Sequence, residues 1–408
     1  MKRFIYILLL LLFLIILLSS GKNEEGIYMY KNNPQRTGYY DTYGPDKTPV
    51  IKWKIDLKKK LKGKQMWLEY QPLIVNDVLY IFTRGTYQRI LAINIKNGRI
   101  KWKIEYDPDL YGVIKKTPII KDNKLIVFFD TVIKLIDIKT KKELWTYKIE
   151  GTEPYDSPII LSEPVLGDGV IYIGETDYRK IPDDVTDELP ETYLLAIDAE
   201  TGKRLWKLKL QDGGISDLAY DKGYLYFSLY DRSYCMDVKT REFKWISDRI
   251  IEYHKAIITE DKLIGWYYNG DIIKALDKET GKLLWEKKFE GEIYDISYNN
   301  NKIYTGIYYR NKDKSSMLII NSKNGNKLKE IFVNDYIVFH YPFIIKNLIL
   351  FKGFKHLYGI NTKTNEIKWV FNLPDSKNDD FTYTGIIYNK KIFIYTRQSK
   401  IFCLEEKN

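Results

Sequence analysis

Short apolar runs rich in Ile, Val, Tyr and Phe punctuate the chain, each ended by a cluster of Gly, Asn, Asp or Lys. Pro72-Leu73-Ile74-Val75 and Pro118-Ile119-Ile120 are examples, and each is followed at once by a second run. Leu79-Tyr80-Ile81-Phe82, Ile171-Tyr172-Ile173, Leu225-Tyr226-Phe227 and Ile303-Tyr304 are typical second runs. β-Branched and aromatic residues in runs this short fit strands far better than helices. After each pair comes a fixed phrase, clearest at Ala196-Ile197-Asp198-Ala199-Glu200-Thr201-Gly202-Lys203-Arg204-Leu205-Trp206. Its first residues close one strand and its last open the next. Between them the Asp caps a tight turn and Gly202 takes the left-handed conformation that a turn followed by a bulge requires.

The phrase recurs with its Asp or Asn at Asn94, Asp137, Asp237, Asp277, Asn321 and Asn361, always eight residues before Trp102, Trp145, Trp245, Trp285, Lys329 and Trp369 respectively. A spacing this rigid marks a structural repeat of four short strands, about forty residues long, which is the period of a propeller blade. At the C-terminal end, Lys391–Tyr395 and Ile401–Glu405 run out before their Trp strand, whereas Val50–Ile55 is a Trp strand with no hairpin before it. Joining the two gives an all-β, eight-bladed β-propeller of four-stranded antiparallel blades, its ring closed by the N-terminal Trp strand completing the last blade. Closure removes the open edges that invite aggregation.

The phrase resembles the repeat of the pyrroloquinoline-quinone-repeat (PQQ-like) propellers, best at Ala196–Trp206 and Ala275–Trp285. Asn33-Pro34-Gln35-Arg36-Thr37-Gly38 also looks like the segment preceding the first Trp strand in that family. The resemblance covers roughly residues 30 to 408 and is specific for fold. It implies either of two roles, because the family holds quinone-dependent alcohol dehydrogenases as well as non-catalytic scaffolds such as the propeller lipoprotein of the bacterial outer-membrane barrel-assembly machinery. The dehydrogenases carry adjacent cysteines and a calcium-ligand set under the quinone. This chain has no adjacent Cys pair, so a scaffold without cofactor is expected, with a quinone- and calcium-dependent dehydrogenase as the alternative.

The N-terminus changes the picture of where the ring works. Met1-Lys2-Arg3 precedes an unbroken apolar run from Phe4 to Leu18, followed by Ser19-Ser20-Gly21. That is a secretory pattern, shorter than the roughly 20 residues of a spanning helix. Residues 1–21 are therefore expected to be a signal peptide or a retained membrane anchor, 22–46 a lead-in, and 47–408 the propeller. Export to the cell surface or the outer side of the membrane follows, anchored or secreted, with positive charge left inside. Protein or glycan partners at the envelope are expected there.

The formal net charge of +11 belongs to lysines scattered over strand edges and turns, as at Lys58-Lys59-Lys60 and Lys287-Lys288. Scattered Lys protects edges and does not form a nucleic-acid stripe. Cys235 and Cys403 fall in the small-residue column of Ala92, Ala196, Ala275 and Gly359, in blades four and eight, which excludes a disulfide between them. The third blade holds an acidic insertion between Ile173 and Tyr193, without the D-x-D-x-D spacing of a calcium loop.

No HExxH, CxxC, G-x-S-x-G or phosphate-cradling glycine loop is present, so catalysis has no motif to rest on. A propeller binds at the mouth of its central channel, where segments entering the innermost strands converge. The residues expected to line that mouth are Trp67, Tyr70, Lys116, Tyr155, His254, Tyr294, His340 and Tyr383, with Glu69, Asp156, Asp217, Glu252, Asp295, Tyr341 and Asp380 nearby. Such a polar, aromatic-rimmed mouth suits a peptide, glycan or small ligand. Blade three stays open here, because both Ser157-Pro158 and Glu163-Pro164 can start its first strand.

Overall fold

In the computed structural model, each sequence repeat forms one antiparallel sheet, and eight such sheets make the eight-bladed propeller. Described are residues 26–407 except 62–65, 69, 155–158, 180, 182–187, 231, 249–255, 267–269, 337–340, 375–376, 378 and 382–384. The expected signal or anchor at residues 1–21 lies outside them. From blade one onward the innermost strands are Leu73–Val75, Ile119–Lys121, a broken pair in blade three, Ala219–Asp221, Ala256–Ile258, Glu292–Asn299, Phe343–Ile345 and Ile386–Tyr388. Blade three uses both starts that its sequence allows. Ile159–Leu161 and Val165–Gly167 pair in succession with the same second strand, Val170–Asp177.

The inner strands of each blade are buried on both faces, because each sheet is sandwiched between two others. Leu79, Ile81, Leu91 and Ile93 of blade one face the core shared with blade eight. Tyr80, Phe82, Ile90 and Ala92 face blade two. The outer strands lie at the rim, and there the burial alternates, as in Ile100–Tyr106. This explains why second and third strands read as continuous apolar runs.

The repeated phrase is an interlock between neighbours. Its Asp side chain accepts the N–H groups of the turn, as Asp198 does from Thr201 at 2.7 Å, and every turn is followed by a bulge. The Trp indole then reaches the next blade. Trp145 donates through Nε1 to the Ala199 carbonyl at 3.3 Å, Trp245 to Lys278 at 2.9 Å and Trp285 to Ser322 at 2.9 Å. The turn glycine lies flat under that indole. Gly281 has φ +70°, and a Cβ there would fall 2.6 Å from the Trp245 ring. Across the sheet, the residue opposite Trp is small in every Trp-bearing blade but the second, where Leu135 faces Trp145: Ala196, Cys235, Ala275, Gly359 and Cys403 each face a Trp. Both cysteines are free, buried and in separate blades, and burial pushes the Cys235 thiol up to about 11.

Ring closure runs through the split blade. Pro49–Asp56 pairs antiparallel with Lys400–Glu406, some 350 residues away, completing blade eight. The turn that should receive Trp369 is missing at this break, and Pro45 of the lead-in takes its place, accepting the indole N–H at 3.1 Å.

The lead-in itself is a lining of the channel. Gly26–Ile27 pairs with the innermost strand of blade one. The carbonyls of Tyr28, Pro34, Gln35, Thr37, Gly38 and Tyr43 then accept backbone N–H groups of Ile120, Tyr220, Ile258, Tyr298, Ile344 and Lys390. Those donors belong to blades two, four, five, six, seven and eight, and Arg36 bonds the Pro164 carbonyl of blade three. The segment thus visits the blades in order, at the channel end where first strands turn into second strands. It satisfies inner-edge donors that would otherwise face the lumen.

Two outcomes follow from this construction. Gly281→Val is expected to destabilise by about 1–3 kcal/mol through positive φ alone, with the indole clash added; Asn365→Gly, at φ +56° with no indole above it, is expected within about 0.5 kcal/mol of wild type. Denaturant midpoints of the two variants check this. Among truncations, removing residues 1–26 should leave a soluble ring, removing 1–46 a closed ring of lower melting temperature, and removing 1–57 an aggregating chain. Light scattering and thermal unfolding separate the three, and equal behaviour of the last two would refute the closing role of Pro49–Asp56.

Candidate functional site

The channel mouth lies at the opposite end, where chain enters the innermost strands. Trp67 stands 45% exposed beside it, in Met66–Trp67, which extends blade one by pairing with Arg84 and Gly85. Tyr70 ties blade one to blade two by donating its hydroxyl to the Ile114 carbonyl. Lys116 is half-buried and faces Glu163. Tyr294 is buried in the core between blades six and seven with Tyr304, Met317 and Ile319, and its neighbour Asp295 carries the polar contacts. Tyr155, His254, His340 and Tyr383 lie outside the described residues, as do Glu69, Asp156 and Glu252.

Beneath the mouth the lead-in supplies a floor. Lys31 is fully buried; its Nζ sits 2.6 Å from Asp295 Oδ1 and 2.8 Å from the Ile296 carbonyl. Three aromatic rings surround that ammonium, with Tyr341 at 4.8 Å, Trp266 at 5.1 Å and Tyr30 at 5.9 Å from it. Tyr30 donates to the other oxygen of Asp295 at 3.0 Å. Gln71 clamps the backbone on both sides, accepting from Lys31 N at 3.0 Å and donating to the Met29 carbonyl at 3.2 Å. Tyr341 completes the network through Gln71 and Tyr40, and burial holds its hydroxyl well above the usual phenol range.

A second cation closes the side toward blades three and four. The Arg36 guanidinium donates to the carbonyls of Leu218, Tyr30 and Pro164 at 3.1, 3.0 and 2.6 Å. Burial pulls its pKa down, against the opposing pull of Glu163 and Asp217. Glu163 accepts from Thr117 N at 3.0 Å, and its own N–H donates to Asp217 at 2.8 Å. Desolvation raises the Glu163 pKa, and Asp217 adds to the rise while Lys116 and Arg36 oppose it.

Cations and carboxylates in this chamber compensate one another. Its chemistry is hydrogen bonding and charge pairing, and among the described residues no nucleophile is activated by a neighbouring base. Among the described residues no three of His, Cys, Asp and Glu converge as metal ligands. The acidic insertion behaves likewise: Glu175 pairs with Lys207, Asp177 with Arg179, and Glu191 with Lys209. Sequence reading reached Asp217, Asp295 and Tyr341 but missed Lys31 and Arg36. The run Asn33–Gly38 was their signal, since Pro, Gly and a lone Arg between blades make poor linker and good lining.

Comparison with known proteins agrees with the ring. Residues 46–247 match the family model described as "Outer membrane protein assembly factor BamB". No curated protein sequence matches the chain. Among solved structures, quinohemoprotein alcohol dehydrogenase ADHIIG from Pseudomonas putida HK5 superposes with a TM-score of 0.69 at 13% identity, over 93% of this chain and 80% of that one. Quinohemoprotein alcohol dehydrogenase from Comamonas testosteroni gives 0.68 at 13%, over 94% and 81%. BamB from Moraxella catarrhalis gives 0.48 at 16%, over 88% and 98%. Identities this low show a shared fold alone. The repeat, the eight-bladed ring and the family model over residues 46–247 are all in accord with a PQQ-like β-propeller.

Proposed function

We propose that this chain is a non-catalytic binding and assembly scaffold, exported and held at or released from the outer side of a membrane, whose partners are proteins of the envelope. One observation carries the reading: the lumen, where a propeller enzyme would place its chemistry, is lined by the chain's own residues 28–43, and its two cations are taken up within the protein, Lys31 by Asp295 and Arg36 by three backbone carbonyls. The name of the matching family model, an assembly factor of an outer membrane, supports the same class of role.

The structural likeness to quinohemoprotein dehydrogenases raises the quinone as the rival. Its fit was tested on the residues present. The two cysteines are buried in blades four and eight, opposite Trp245 and Trp53, and no metal-ligand cluster appears among the described residues. This set does not fit a quinone held over calcium beside a cysteine pair, and no reaction step is derived through it. Purified protein supplied with the quinone, calcium and a primary alcohol should reduce no dye, and cross-linking in the native envelope should return a defined protein partner. Quinone-dependent dye reduction at enzymatic rates would overturn the scaffold.

The paired lumen gives a second check. Asp295→Asn strands the Lys31 ammonium and is expected to cost about 3–5 kcal/mol, part of it recovered when Lys31→Met is added. Urea unfolding of the full chain measures both. An Asp295→Asn variant of unchanged stability that lost partner binding would make the lumen a ligand site instead.

A further inference from the structure

The rim between blades five and six carries a step in height. Blade six is built tall: Glu292–Asn299, Lys302–Tyr309 and Lys314–Asn321 each run eight residues, whereas the matching strands of blade five run three, five and six. The extra height overhangs blade five and leaves a groove of two adjoining cavities, about 540 and 790 Å³, which share Lys288, Phe289, Glu290, Tyr309 and Lys312. It runs from Gly270 and Asp271 on the mouth face down to Gly325 and Phe332 at the rim.

One wall is the outermost strand of blade six, Lys327–Val333. As the last strand of its sheet it has no strand beyond it to pair with. Strand alternation turns Glu330 and Phe332 toward the groove, while Ile331 and Val333 are buried against blade seven. Phe332 is 61% exposed, a large apolar side chain on an edge that proteins ordinarily blunt.

The rim portion of the groove carries an excess of positive charge. Lys287, Lys288, Lys312, Lys314 and Lys327 line it against only Glu290 and Glu330. Glu330 is taken by Lys327 at 2.7 Å and the Tyr309 hydroxyl at 2.6 Å, and Glu290 by Lys312 at 3.7 Å. Lys288 faces Asp271 at 3.2 Å. Among the described residues no carboxylate pairs with Lys287 or Lys314.

An edge with no further strand, the exposed Phe332 on its groove face and uncompensated cations alongside are the elements of strand addition with an acidic ligand. We infer that this groove takes an extended acidic peptide segment of a partner protein, added as a fifth strand along Lys327–Val333, with carboxylates toward Lys287 and Lys314 and an apolar side chain on Phe332. The inference rests on the scaffold reading and gives it a place and a partner chemistry.

The test is fluorescence anisotropy of the full chain with a labelled ten-residue peptide of alternating Glu and Val. Its Lys/Val counterpart and a version N-methylated at alternate residues serve as comparisons. The acidic peptide should bind at least tenfold more tightly than the basic one, lose affinity as salt rises, and lose at least tenfold on N-methylation, which blocks backbone pairing. Lys287→Glu with Lys314→Glu, or Phe332→Ser, should each cost tenfold or more in affinity, with melting temperatures within a few degrees of wild type. Equal binding of acidic and basic peptides, indifference to N-methylation, or binding untouched by these rim variants would overturn the inference. So would tighter binding of an anionic oligosaccharide than of the acidic peptide. A photo-reactive analogue placed at Trp67 and, separately, at Phe332 keeps the two readings apart. Adducts at Trp67 alone leave the scaffold standing and remove the groove, whereas adducts at neither, with quinone-dependent oxidation, remove both.

Discussion

Everything in this ring depends on a flat indole lying on a turn that has no side chain. The Trp of one blade covers the turn glycine of the next and donates to a carbonyl of the same turn, so two sheets sharing no backbone ladder are held in register. Three sequence features follow from one contact: the glycine, the small residue facing the Trp across its sheet, and the fixed spacing that delivers the Trp after a bulge. Where the next turn carries Lys141 or Arg241, the preceding Trp102 or Trp206 packs on a tyrosine of its own blade, Tyr80 or Tyr172. Closure extends the same logic to the split blade, where Pro45 stands in for a turn the chain cannot form. Its loop of some 350 residues is tolerable because closure entropy grows only logarithmically with length.

The ring was legible in the sequence because the interlock repeats, and repetition turns a weak local signal into a strong one. The phrase from Ala196 to Trp206 located every blade, and the orphan strand at Val50–Ile55 located the closure. Blade three's doubled start could not be chosen between because both candidates were correct. The site was less legible for a physical reason. A channel mouth is assembled from eight non-repeating loops, and its floor comes from a segment outside the repeat altogether. Lys31 and Arg36 are charged residues in what reads as a linker, and no pattern rule predicts that such a residue is wholly buried. The ambiguity at Tyr294 and Asp295 has the same root, because a bulge between Ile293 and Ile296 shifts which of the two faces the lumen.

Filling the lumen moves function outward. A buried ammonium is tolerable only with a carboxylate and further acceptors around it, and Asp295, the Ile296 carbonyl and three aromatic rings provide them. Groups committed in this way are not available to a substrate. Under the proposed scaffold role, recognition falls to the mouth rim, where Trp67 is 45% exposed, and to the outer edges of the blades.

One edge stands apart because the interlock fails there. Blade six has Lys329 where its neighbours have Trp, Ile319 where most have a small residue, and the following turn carries Asn365 where four others carry glycine. Trp102 and Trp206 meet turns without glycine and Trp145 faces Leu135, so what sets blade six apart is the loss of the indole itself. The outer strand of blade six packs on blade seven through Ile331 and Val333, and its other face carries Phe332 into solvent. A scaffold made of identical contacts presents an identical rim all round. Giving up one contact is the smallest change that makes a single edge distinguishable from the other seven.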